Sequence, residues 1–441
     1  MSDRAARLAL GAYRWVGALA YPVIGGFIAL RAARGKEDRR RRHERYGKSD
    51  LARPEGPLVW VHAASIGEFV AVTPLIERIN ALGVPVILTT GTVTSARLAV
   101  DRLGDRIIHQ FVPLDLKPAV SRFLTHWKPD LAIFAESELW PMTILELGAR
   151  RVPQVLVNAR MSDRSFESWS RRSWLAEALF ENLALVVAQS ETDAARFIEL
   201  GARPVLVSGN MKVDNEPPPV REEALQALQG QIGNRPTWAA ISTHDGEEMV
   251  AMEVHSLLVN RHRDLLTIVV PRHPDRGDAI EAQFARAGLL VARRSRRDPV
   301  TPETAILLGD TIGEMGLFLS LTEIAFVGKS LTGEGGQNPL EPAMMGTAVL
   351  SGQKVQNFRD SYQALSNAGA ARFVRDGEML AGAVNFLLRN DAQRRSMIAA
   401  GMRTVESLRG SLNRTMRALD PYLHPLIVKS QLGPGSGGRR R

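Results

Sequence analysis

Short runs of Val, Ile and Leu recur along the chain from Leu58 onward, and each run ends in a turn. Such continuously apolar runs of strand length are typical of strands buried on both faces of a parallel sheet. Amphipathic segments with helical periodicity lie between them. The first seven runs read LVWVHAAS, VPVILTTGT, RIIHQFVPLD, PDLAIFAES, VPQVLVNAR, LALVVAQS and RPVLVSGN. This alternation predicts a doubly wound α/β domain with right-handed crossovers.

A Pro-rich segment, DNEPPPVR at residues 214–221, interrupts the alternation. Three consecutive prolines cannot continue a helix or a central strand, so we predict a stiff linker. The alternation resumes with TWAAISTH, LLTIVVPRH, TAILLGD, EIAFVGKSL and TAVLSGQ. It therefore predicts two Rossmann-like α/β domains, residues 55–213 and 222–420, which face each other across a cleft. The helical end of the second domain is expected to pack across the domain junction, and residues 433–441 form a flexible basic tail.

An apolar segment, residues 8–30, precedes the first domain, and Arg14 is its one charged residue. As a helix it would be about 34 Å long, enough for the ~30 Å hydrocarbon core of a bilayer. Eight Lys or Arg residues against three acids follow in residues 31–45. Residues 1–45 are therefore predicted to attach the chain to a membrane, with the two domains on the cytoplasmic side. A spanning helix and an amphipathic helix lying on the surface both remain open.

Composition and charge exclude several classes of protein. The net charge of +9 comes mostly from residues 31–45 and the last three arginines, and aromatic residues make up 6% of the chain, which does not fit a nucleic-acid-binding face. The chain has no Cys, so disulfides, thiolate nucleophiles and Cys-based metal sites are excluded. It also lacks the HExxH, GxxxxGK[ST] and GxSxG motifs, and no GxGxxG follows the early strands. We predict no metal and no cofactor.

In the first domain, charged residues follow the predicted strands. Glu68 falls in the first turn of a helix, where a carboxylate can take a proton from an incoming hydroxyl. An acid favoured there only by the helix dipole is the competing interpretation. Glu136 and Glu138 follow a strand as a pair of acid/base groups, and Glu136 or Ser137 is alternatively the cap of a helix that begins near Pro141. Lys212 either meets the negative charge of a phosphate or carboxylate or is a solvated surface residue.

Three segments of the second domain have the chemistry of an anion-binding site. Arg272 in PRHPDR follows a strand, and its guanidinium forms a planar fork that fits phosphate. Residues 311–315, TIGEM, and 335–342, GGQNPLEP, place small residues where a strand leads into a helix, so backbone N–H groups can face a phosphate. Glu341 can accept hydrogen bonds from the vicinal hydroxyls of a sugar. Each segment alone fits an ordinary turn, but the three together favour nucleotide binding.

Seven motifs occur in a fixed order: HAASIGE, AESELWP, NARMSDRS, GNMKVD, PRHPDR, IGEM and GGQNPLEP. Together they closely resemble the 3-deoxy-D-manno-octulosonic acid (Kdo) transferases of lipopolysaccharide synthesis, from the apolar N-terminus to about residue 420. The resemblance implies a glycosyltransferase of the GT-B fold. It also implies inverting transfer of Kdo from CMP-Kdo to a lipid A precursor, lipid IVA, at the cytoplasmic face of the bacterial inner membrane, without a metal.

The resemblance also implies roles for individual residues. Glu68 matches the family's proton acceptor, and Glu138 and Lys212 match its transition-state-stabilising residues. The family's CMP-binding segments match Pro271 and Arg272, then Ile312, Gly313 and Glu314, then Asn338, Pro339, Leu340 and Glu341. Departures from the family pattern are Gln337 in place of His, Ile66 in place of Val and Asp275 in place of Glu.

Two other functions fit part of the pattern. A nucleotide-sugar epimerase or hydrolase of the same fold would bind the nucleotide but would need no lipid. A non-catalytic, membrane-bound nucleotide-sugar binding protein would bind CMP and form no product.

Overall fold

The computed structural model describes residues 37–214 and 216–432, which form two compact units. Unit 1 contains residues 37–214 and 409–432, and unit 2 contains residues 216–408. Each unit is built around one parallel sheet with helices on its faces. The prediction of two α/β domains with parallel sheets is confirmed.

Unit 1 alternates strands and helices along most of its length. Its strands are β1 (Val59–His62), β2 (Val86–Thr90), β3 (Ile108–Phe111), β4 (Leu131–Ala135), β5 (Gln154–Ala159), β6 (Leu185–Ala188) and β7 (Val205–Val207). Its helices are α1 (Ile66–Ala81), α2 (Val93–Leu103), α3 (Lys117–Trp127), α4 (Pro141–Ala149), α5 (Asp163–Ser170), α6 (Ser173–Phe180) and α7 (Glu191–Glu199). The strand order is β3-β2-β1-β4-β5-β6-β7, and every pair is parallel.

The central strands of unit 1 are buried on both faces, which explains their continuously apolar sequences. Side chains that alternate along each strand enter two separate cores, one on each face of the sheet. Trp60 and Phe123 lie in one core, and Phe69 and Leu88 lie in the other. The two cores fix the sheet, and with it the loops that leave the carboxyl ends of its strands.

Unit 2 repeats the arrangement. Its strands are β8 (Thr237–Thr243), β9 (Leu266–Pro271), β10 (Val291–Arg293), β11 (Ile306–Leu308), β12 (Ile324–Val327), β13 (Ala348–Ser351) and β14 (Ala371–Phe373). Its helices are α8 (Glu222–Ile232), α9 (Glu247–Val259), α10 (Gly277–Arg286), α11 (Met315–Leu319), α12 (Leu340–Met344), α13 (Arg359–Asn367), α14 (Gly377–Arg389) and α15 (Asp391–Leu408). The strand order is β10-β11-β9-β8-β12-β13-β14.

The last helix, α16 (Ser411–Gln431), belongs to unit 1. Leu419, Leu423 and Leu426 of this helix are buried in the core that also contains Phe69. The Asp214 carboxylate accepts hydrogen bonds from the N–H groups of Gly410 at 2.6 Å and Leu412 at 2.5 Å, so the chain re-enters unit 1 where it left. The sequence had assigned residues up to 420 to the second domain, because apolar periodicity shows that a helix is buried but not against which sheet.

The predicted N-terminal membrane segment and the C-terminal basic tail lie outside the described residues. Within residues 37–214 and 216–432, no helix has both the length and the apolar character to cross a bilayer. The described part of the basic run is anchored to unit 1. Arg45 is buried, pairs with Glu37 at 3.0 Å and donates to the Gly91 carbonyl at 2.7 Å.

Candidate active site

The strand order of the first sheet reverses between the neighbouring strands β1 and β4. The connections from these two strands therefore lead to opposite sides of the sheet, and the carboxyl ends of such a pair form the usual ligand-binding crevice of an α/β fold. Glu68 lies in the first turn of α1, directly after β1, while Glu136 and Glu138 follow β4. The two loops at the reversal thus carry three carboxylates.

Glu68 helps to close the N-terminus of α1. Ser65 is the N-cap residue, and its Oγ accepts a hydrogen bond from the Glu68 N–H at 3.3 Å. In return, the Glu68 carboxylate accepts hydrogen bonds from the Ser65 hydroxyl at 2.7 Å and from the Ala64 N–H at 2.8 Å. These reciprocal bonds are a variant of the capping box. Glu68 is therefore a helix-start acid, as the competing interpretation expects, and this is one part of its role.

The surroundings of Glu68 also change its acidity. Burial raises the pKa of Glu68, and the charges of Glu138 and Glu136 raise it further. The hydrogen bonds from Ser65 and Ala64 lower the pKa without cancelling the rise. A carboxylate with a raised pKa holds a proton more tightly, so it is a stronger base than a solvated Glu.

Lys212 lies in a 3-10 helix, Met211–Asp214, after β7, and it is paired with Glu136. The Lys212 Nζ and Glu136 Oε1 atoms are 2.5 Å apart, and both side chains are largely buried. A Cβ atom added to Gly67 would lie 3.9 Å from this Nζ, so the ammonium group lies beside the first turn of α1. Lys212 is therefore not a solvated surface residue.

The helix after Glu138 is capped from a different part of the chain. The N–H groups of Met142 and Thr143 donate to the Asp115 carboxylate at 3.0 and 2.8 Å. Neither acid of AESELWP serves as the cap of α4, whose N-cap residue is Trp140. The Glu136 carboxylate is therefore available to Lys212, and its backbone turns sharply at a φ of 55°.

Glu138 is held by two nitrogen groups. The Trp140 indole N–H donates to Glu138 Oε2 at 2.6 Å, and Nε2 of the buried His62 lies 3.5 Å from the same oxygen. Burial raises the pKa of Glu138, but the interactions with His62 and Trp140 outweigh burial, so the pKa lies below its ordinary value. Glu68 and Glu138 thus have pKa values that are shifted in opposite directions, which is the pattern expected for two carboxylates with different roles.

Unit 1 thus brings together Glu68, Glu138 and Lys212, with Glu136 between them. Among the described residues, no group of three or more His, Cys, Asp or Glu side chains is arranged to hold a metal ion.

The second sheet reverses between β8 and β12. At this reversal the buried Glu247 carboxylate fills the loop after β12, where it accepts from the N–H groups of Lys329 at 2.6 Å, Ser330 at 2.8 Å and Leu331 at 3.1 Å. It also accepts from the His244 N–H at 2.9 Å. The protein's own carboxylate therefore occupies these donors, so they are not available to a phosphate.

Arg272 offers an exposed guanidinium directly after Pro271, the last residue of β9. No acid pairs with Arg272 in the described part of the chain. Arg276 of the same motif is paired with Glu248 at 2.7 Å and with Asp245 at 2.8 Å. Of the two arginines in PRHPDR, Arg272 is the one available to an anion.

The segment after β11 combines an exposed turn with a fixed acid. Ile312 is 79% exposed, and Gly313 has a φ of 82°. The Glu314 carboxylate accepts two hydrogen bonds from Arg294 at 2.7 and 3.0 Å and one from the Thr311 hydroxyl at 2.7 Å. The Arg294 hydrogen bonds lower the pKa of Glu314 and outweigh its partial burial. Glu314 is therefore an ionised anchor of the turn.

The paired glycines before α12 use their N–H groups internally. The Gly335 N–H donates to the Lys354 carbonyl at 3.1 Å, and the Gly336 N–H donates to the Lys329 carbonyl at 2.9 Å. These two groups hold the loop in place rather than face a ligand. The expectation that the glycine N–H groups are free does not describe this loop.

The rest of this segment is partly open. Asn338 accepts from the Leu340 N–H at 3.1 Å, Pro339 and Leu340 are buried, and Glu341 is exposed. Gln337 lies with its Nε2 atom 3.0 Å from the Nε2 atom of His244. Burial and the charge of Lys329 lower the pKa of His244, so the ring is neutral and accepts from the Gln337 amide.

The family described as "3-Deoxy-D-manno-octulosonic-acid transferase (kdotransferase)" matches residues 40–215. A 3-deoxy-D-manno-octulosonic acid transferase of Haemophilus influenzae is 32% identical over 413 residues, which cover 91% of this chain and 96% of that one. A relative of the same name from Rickettsia bellii is 33% identical over 421 residues, with 95% and 98% of the two chains covered. The chain belongs to the Kdo transferase family. The resemblance seen in its seven motifs is thereby confirmed.

A Kdo transferase is a glycosyltransferase, and the fold agrees with this class. A glycosyltransferase from Rickettsia africae has a TM-score of 0.59 with this chain and is 15% identical to it, and the match covers 84% of this chain and 99% of that one. This likeness supports a GT-B-like fold. The epimerase, hydrolase and binding-protein alternatives are not favoured by the family match.

Four residues that orient the site are absent from the predicted set. They are His62 and Trp140, which contact Glu138, Asp115, which caps α4, and Arg294, which binds Glu314. A signal for Trp140 exists in its spacing from Glu138, because residues two apart in a tight turn can meet. The other pairs are distant in sequence, and only the strand order brings them together.

Proposed function

We propose that this Kdo transferase moves Kdo from CMP-Kdo to lipid IVA, with inversion at the anomeric carbon. The observation that carries this proposal is the position of Glu68. It is a partly buried carboxylate with a raised pKa, located at the reversal of strand order and close to Lys212 and Glu138. This combination fits a general base that acts beside charged stabilising groups.

In the proposed step, the Glu68 carboxylate takes the proton of the acceptor hydroxyl while the hydroxyl oxygen attacks the anomeric carbon of Kdo. The bond from that carbon to the phosphate oxygen breaks, and CMP leaves with the bonding electron pair. Attack from the face opposite CMP inverts the configuration. The bonds from Ser65 and Ala64 hold the base in one orientation during the transfer.

We assign to Glu138 and Lys212 the stabilisation of the charges that develop during transfer. Positive charge accumulates on the sugar ring as the leaving group departs. Glu138 stays ionised because its pKa is lowered, so it suits this positive charge. The Lys212 ammonium suits the negative charge of the departing phosphate or the sugar carboxylate.

We assign nucleotide binding to unit 2. Arg272, after Pro271, binds the phosphate through its exposed guanidinium. Ile312 and Gly313 offer an exposed apolar turn to the cytosine ring, and Glu314 fixes that turn. The segment of Asn338, Pro339, Leu340 and Glu341 supplies the exposed Glu341 carboxylate to the ribose hydroxyls.

The substitution Glu68→Gln tests the general base. It removes the proton acceptor and retains an amide oxygen for one of the two capping bonds, so we expect kcat to fall about 10²- to 10⁴-fold. CMP binding, measured by titration calorimetry, should remain unchanged. Transfer to lipid IVA is followed by mass spectrometry of the lipid product. Near-normal turnover by this variant would contradict the assignment.

Incubation of the protein with CMP-Kdo alone separates transfer from the alternatives. We expect slow release of CMP without lipid IVA and fast release with it. Rapid consumption of CMP-Kdo without a lipid would favour a hydrolase or an epimerase, and CMP binding without any product would favour a binding protein.

The lipid acceptor places the reaction at a membrane, and we propose the cytoplasmic face of the bacterial inner membrane. The exposed side chains of Arg39, Arg40, Arg42 and Lys48 support this proposal because basic residues attract anionic lipids. With Arg122 they line a cavity of about 380 Å³. Sedimentation of the full chain with vesicles should increase with the fraction of anionic lipid and decrease with added salt.

A further inference from the structure

His62 is a fully buried histidine at the carboxyl end of β1, and its Nε2 atom has no hydrogen-bond partner in the described part of the chain. Buried polar atoms are rarely left without a partner, so the exception calls for an explanation. We propose that His62 is a positioning residue that holds the Glu138 carboxylate through a hydrogen on Nε2. This inference rests on the role proposed above for Glu138.

The imidazole ring of His62 is held by contacts with Thr89 and with two aromatic side chains. Its Nδ1 atom lies 3.1 Å from the Thr89 carbonyl and 2.9 Å from the Thr89 hydroxyl. The ring makes edge-on contacts with Phe134 at 6.2 Å and with Trp140 at 6.0 Å between centroids. The ring therefore cannot turn away from Glu138 without disrupting buried aromatic packing.

The two neutral tautomers of the ring differ at Nε2. If Nδ1 accepts from the Thr89 hydroxyl, the neutral ring carries its hydrogen on Nε2. If Nδ1 donates to the Thr89 carbonyl, the neutral ring presents a bare Nε2 lone pair to the carboxylate 3.5 Å away. A bare lone pair would repel an ionised Glu138, so the proposal requires a hydrogen on Nε2, as in the first tautomer.

The two carboxylate oxygens of Glu138 also differ in their contacts. His62 Nε2 and the Trp140 indole N–H both approach Oε2. No described residue donates a hydrogen bond to the other oxygen, Oε1. His62 and Trp140 therefore fix the carboxylate by one oxygen and leave the second oxygen for the substrate.

The remaining charges near Glu138 make this support necessary. Glu68 on α1 lies close enough for the two carboxylates to affect each other, and Glu136 lies two residues before Glu138. Lys212, from the 3-10 helix after β7, is already paired with Glu136. Without a donor on β1, Glu138 would face two acids, and its proton affinity would increase.

Two substitutions of His62 test the proposal. His62→Leu fills the space without a donor, whereas His62→Gln retains an N–H group at the end of the side chain. We expect kcat of the Leu variant to fall about 10- to 100-fold, since a misplacement of about 1 Å can cost that much. KM for CMP-Kdo should stay unchanged, and the Gln variant should recover most of the rate.

The pH profile separates positioning from a merely structural role. In the wild type, Glu68 with its raised pKa sets the acidic limb of kcat/KM. Loss of the Nε2 hydrogen raises the proton affinity of Glu138, so this limb should become steeper and move to higher pH in His62→Leu and return in His62→Gln. In a Glu138→Gln background, His62→Leu should cause little further loss of rate.

His255→Leu is the matched control. His255 is 2% exposed, and its Nδ1 atom lies 2.9 Å from the Thr267 hydroxyl, but it belongs to α9 of unit 2, outside the candidate site. This variant should lose stability and keep the wild-type kcat and pH profile. A His62→Leu protein that behaves in the same way overturns the proposal.

A measurement on the resting protein covers the case in which His62→Leu does not fold. The ¹⁵N spectrum of histidine-labelled protein at neutral pH, assigned by comparison with His62→Gln, should show a hydrogen on Nε2 of His62. A bare Nε2 overturns the proposal. If the wild-type protein transfers Kdo but not to lipid IVA, the acceptor proposal fails, and the His62 comparisons are made with the acceptor that it uses.

Discussion

The Glu68 carboxylate is both held and destabilised by its neighbours. Hydrogen bonds from Ser65 and Ala64 fix it at the start of α1. Burial and the charges of Glu138 and Glu136 oppose its ionised form. The folded protein therefore maintains a base that would lose its proton more readily in the unfolded chain.

This conflict predicts a pH-dependent difference in stability between the wild type and Glu68→Gln. The raised pKa means that the folded wild type binds a proton at Glu68 more tightly than the unfolded chain, so this group favours folding more as the pH falls. At a pH above the raised pKa, the wild type bears the full cost of the ionised side chain. The gain in stability of the Gln variant over the wild type should therefore be largest there. It should shrink as the pH falls toward the ordinary value of 4.5.

Chemical unfolding at several pH values measures this difference. Glu77→Gln is a suitable control because Glu77 lies on the exposed side of the same helix and pairs with Arg106 at the surface. A Glu68→Gln advantage that grows as the pH falls would contradict the assigned sign.

Individual residues of the site could be predicted from the sequence, but their partners could not. The motifs singled out Glu68, Glu138 and Lys212, and the structure places all three at one edge of the first sheet. Glu136 and Lys212 are 76 positions apart, so their pairing depends on the folded loops after β4 and β7. Whether Glu136 caps a helix or pairs with Lys212 was decided by Asp115, which lies in another loop.

At the scale of elements, the loop before α12 shows how closely two segments can approach. Gly336 has a φ of 70°, and a Cβ atom there would lie 3.0 Å from the Val355 Cα atom. The residue therefore needs both the left-handed backbone and the absence of a side chain. The loop that carries Asn338 and Glu341 depends on this approach.

The substitution Gly336→Ala should weaken CMP binding several-fold, because the loop has to shift away from Val355. Gly369→Ala is the matched control, since Gly369 has the same φ of 70° and nothing within 4 Å of the added Cβ atom. The control should lose about 1 kcal/mol of stability and bind CMP normally. Titration calorimetry with CMP compares the two. Equal affinities would show that the contact with Val355 does not position the loop.

The sequence predicted the central strands because each is a continuous apolar run, as in VLVN of β5 and TIVV of β9. It did not predict the edge strands β10 and β14, which are three residues long and read VAR and ARF. Each of these two strands is only three residues long and contains an arginine, so its sequence lacks a continuous apolar run. The helices α5 and α6, between β5 and β6, were also missed.

At the scale of the whole molecule, each unit has its own hydrophobic core. The cores of unit 1 draw on residues from both of its chain segments, and α16 supplies Leu419, Leu423 and Leu426. The core of unit 2 is built from residues between 238 and 397. The two units are therefore expected to respond separately to core substitutions.

Leu423→Ala should destabilise unit 1 by about 2–5 kcal/mol, because it leaves a cavity beside the first sheet. Leu432→Ala, just beyond the same helix, is the control, since Leu432 is 79% exposed and its loss should change stability by less than about 0.5 kcal/mol. Scanning calorimetry should show a shift of one transition in Leu423→Ala while the transition of unit 2 stays in place. A shift of the unit 2 transition instead would contradict the assignment of α16 to unit 1.

The return of the chain to unit 1 has a consequence for synthesis on the ribosome. The strands of the first sheet are translated before the inserted unit, but three leucines of its core are translated after that unit. Unit 2, the inserted unit, is translated after the strands of that sheet, but its chain is complete as soon as residue 408 has emerged. Unit 1, the earlier unit, is complete only after α16 has been translated. A product terminated directly after residue 410 would therefore keep the inserted unit intact and leave the earlier unit with an exposed apolar face, a ready target for cellular proteases.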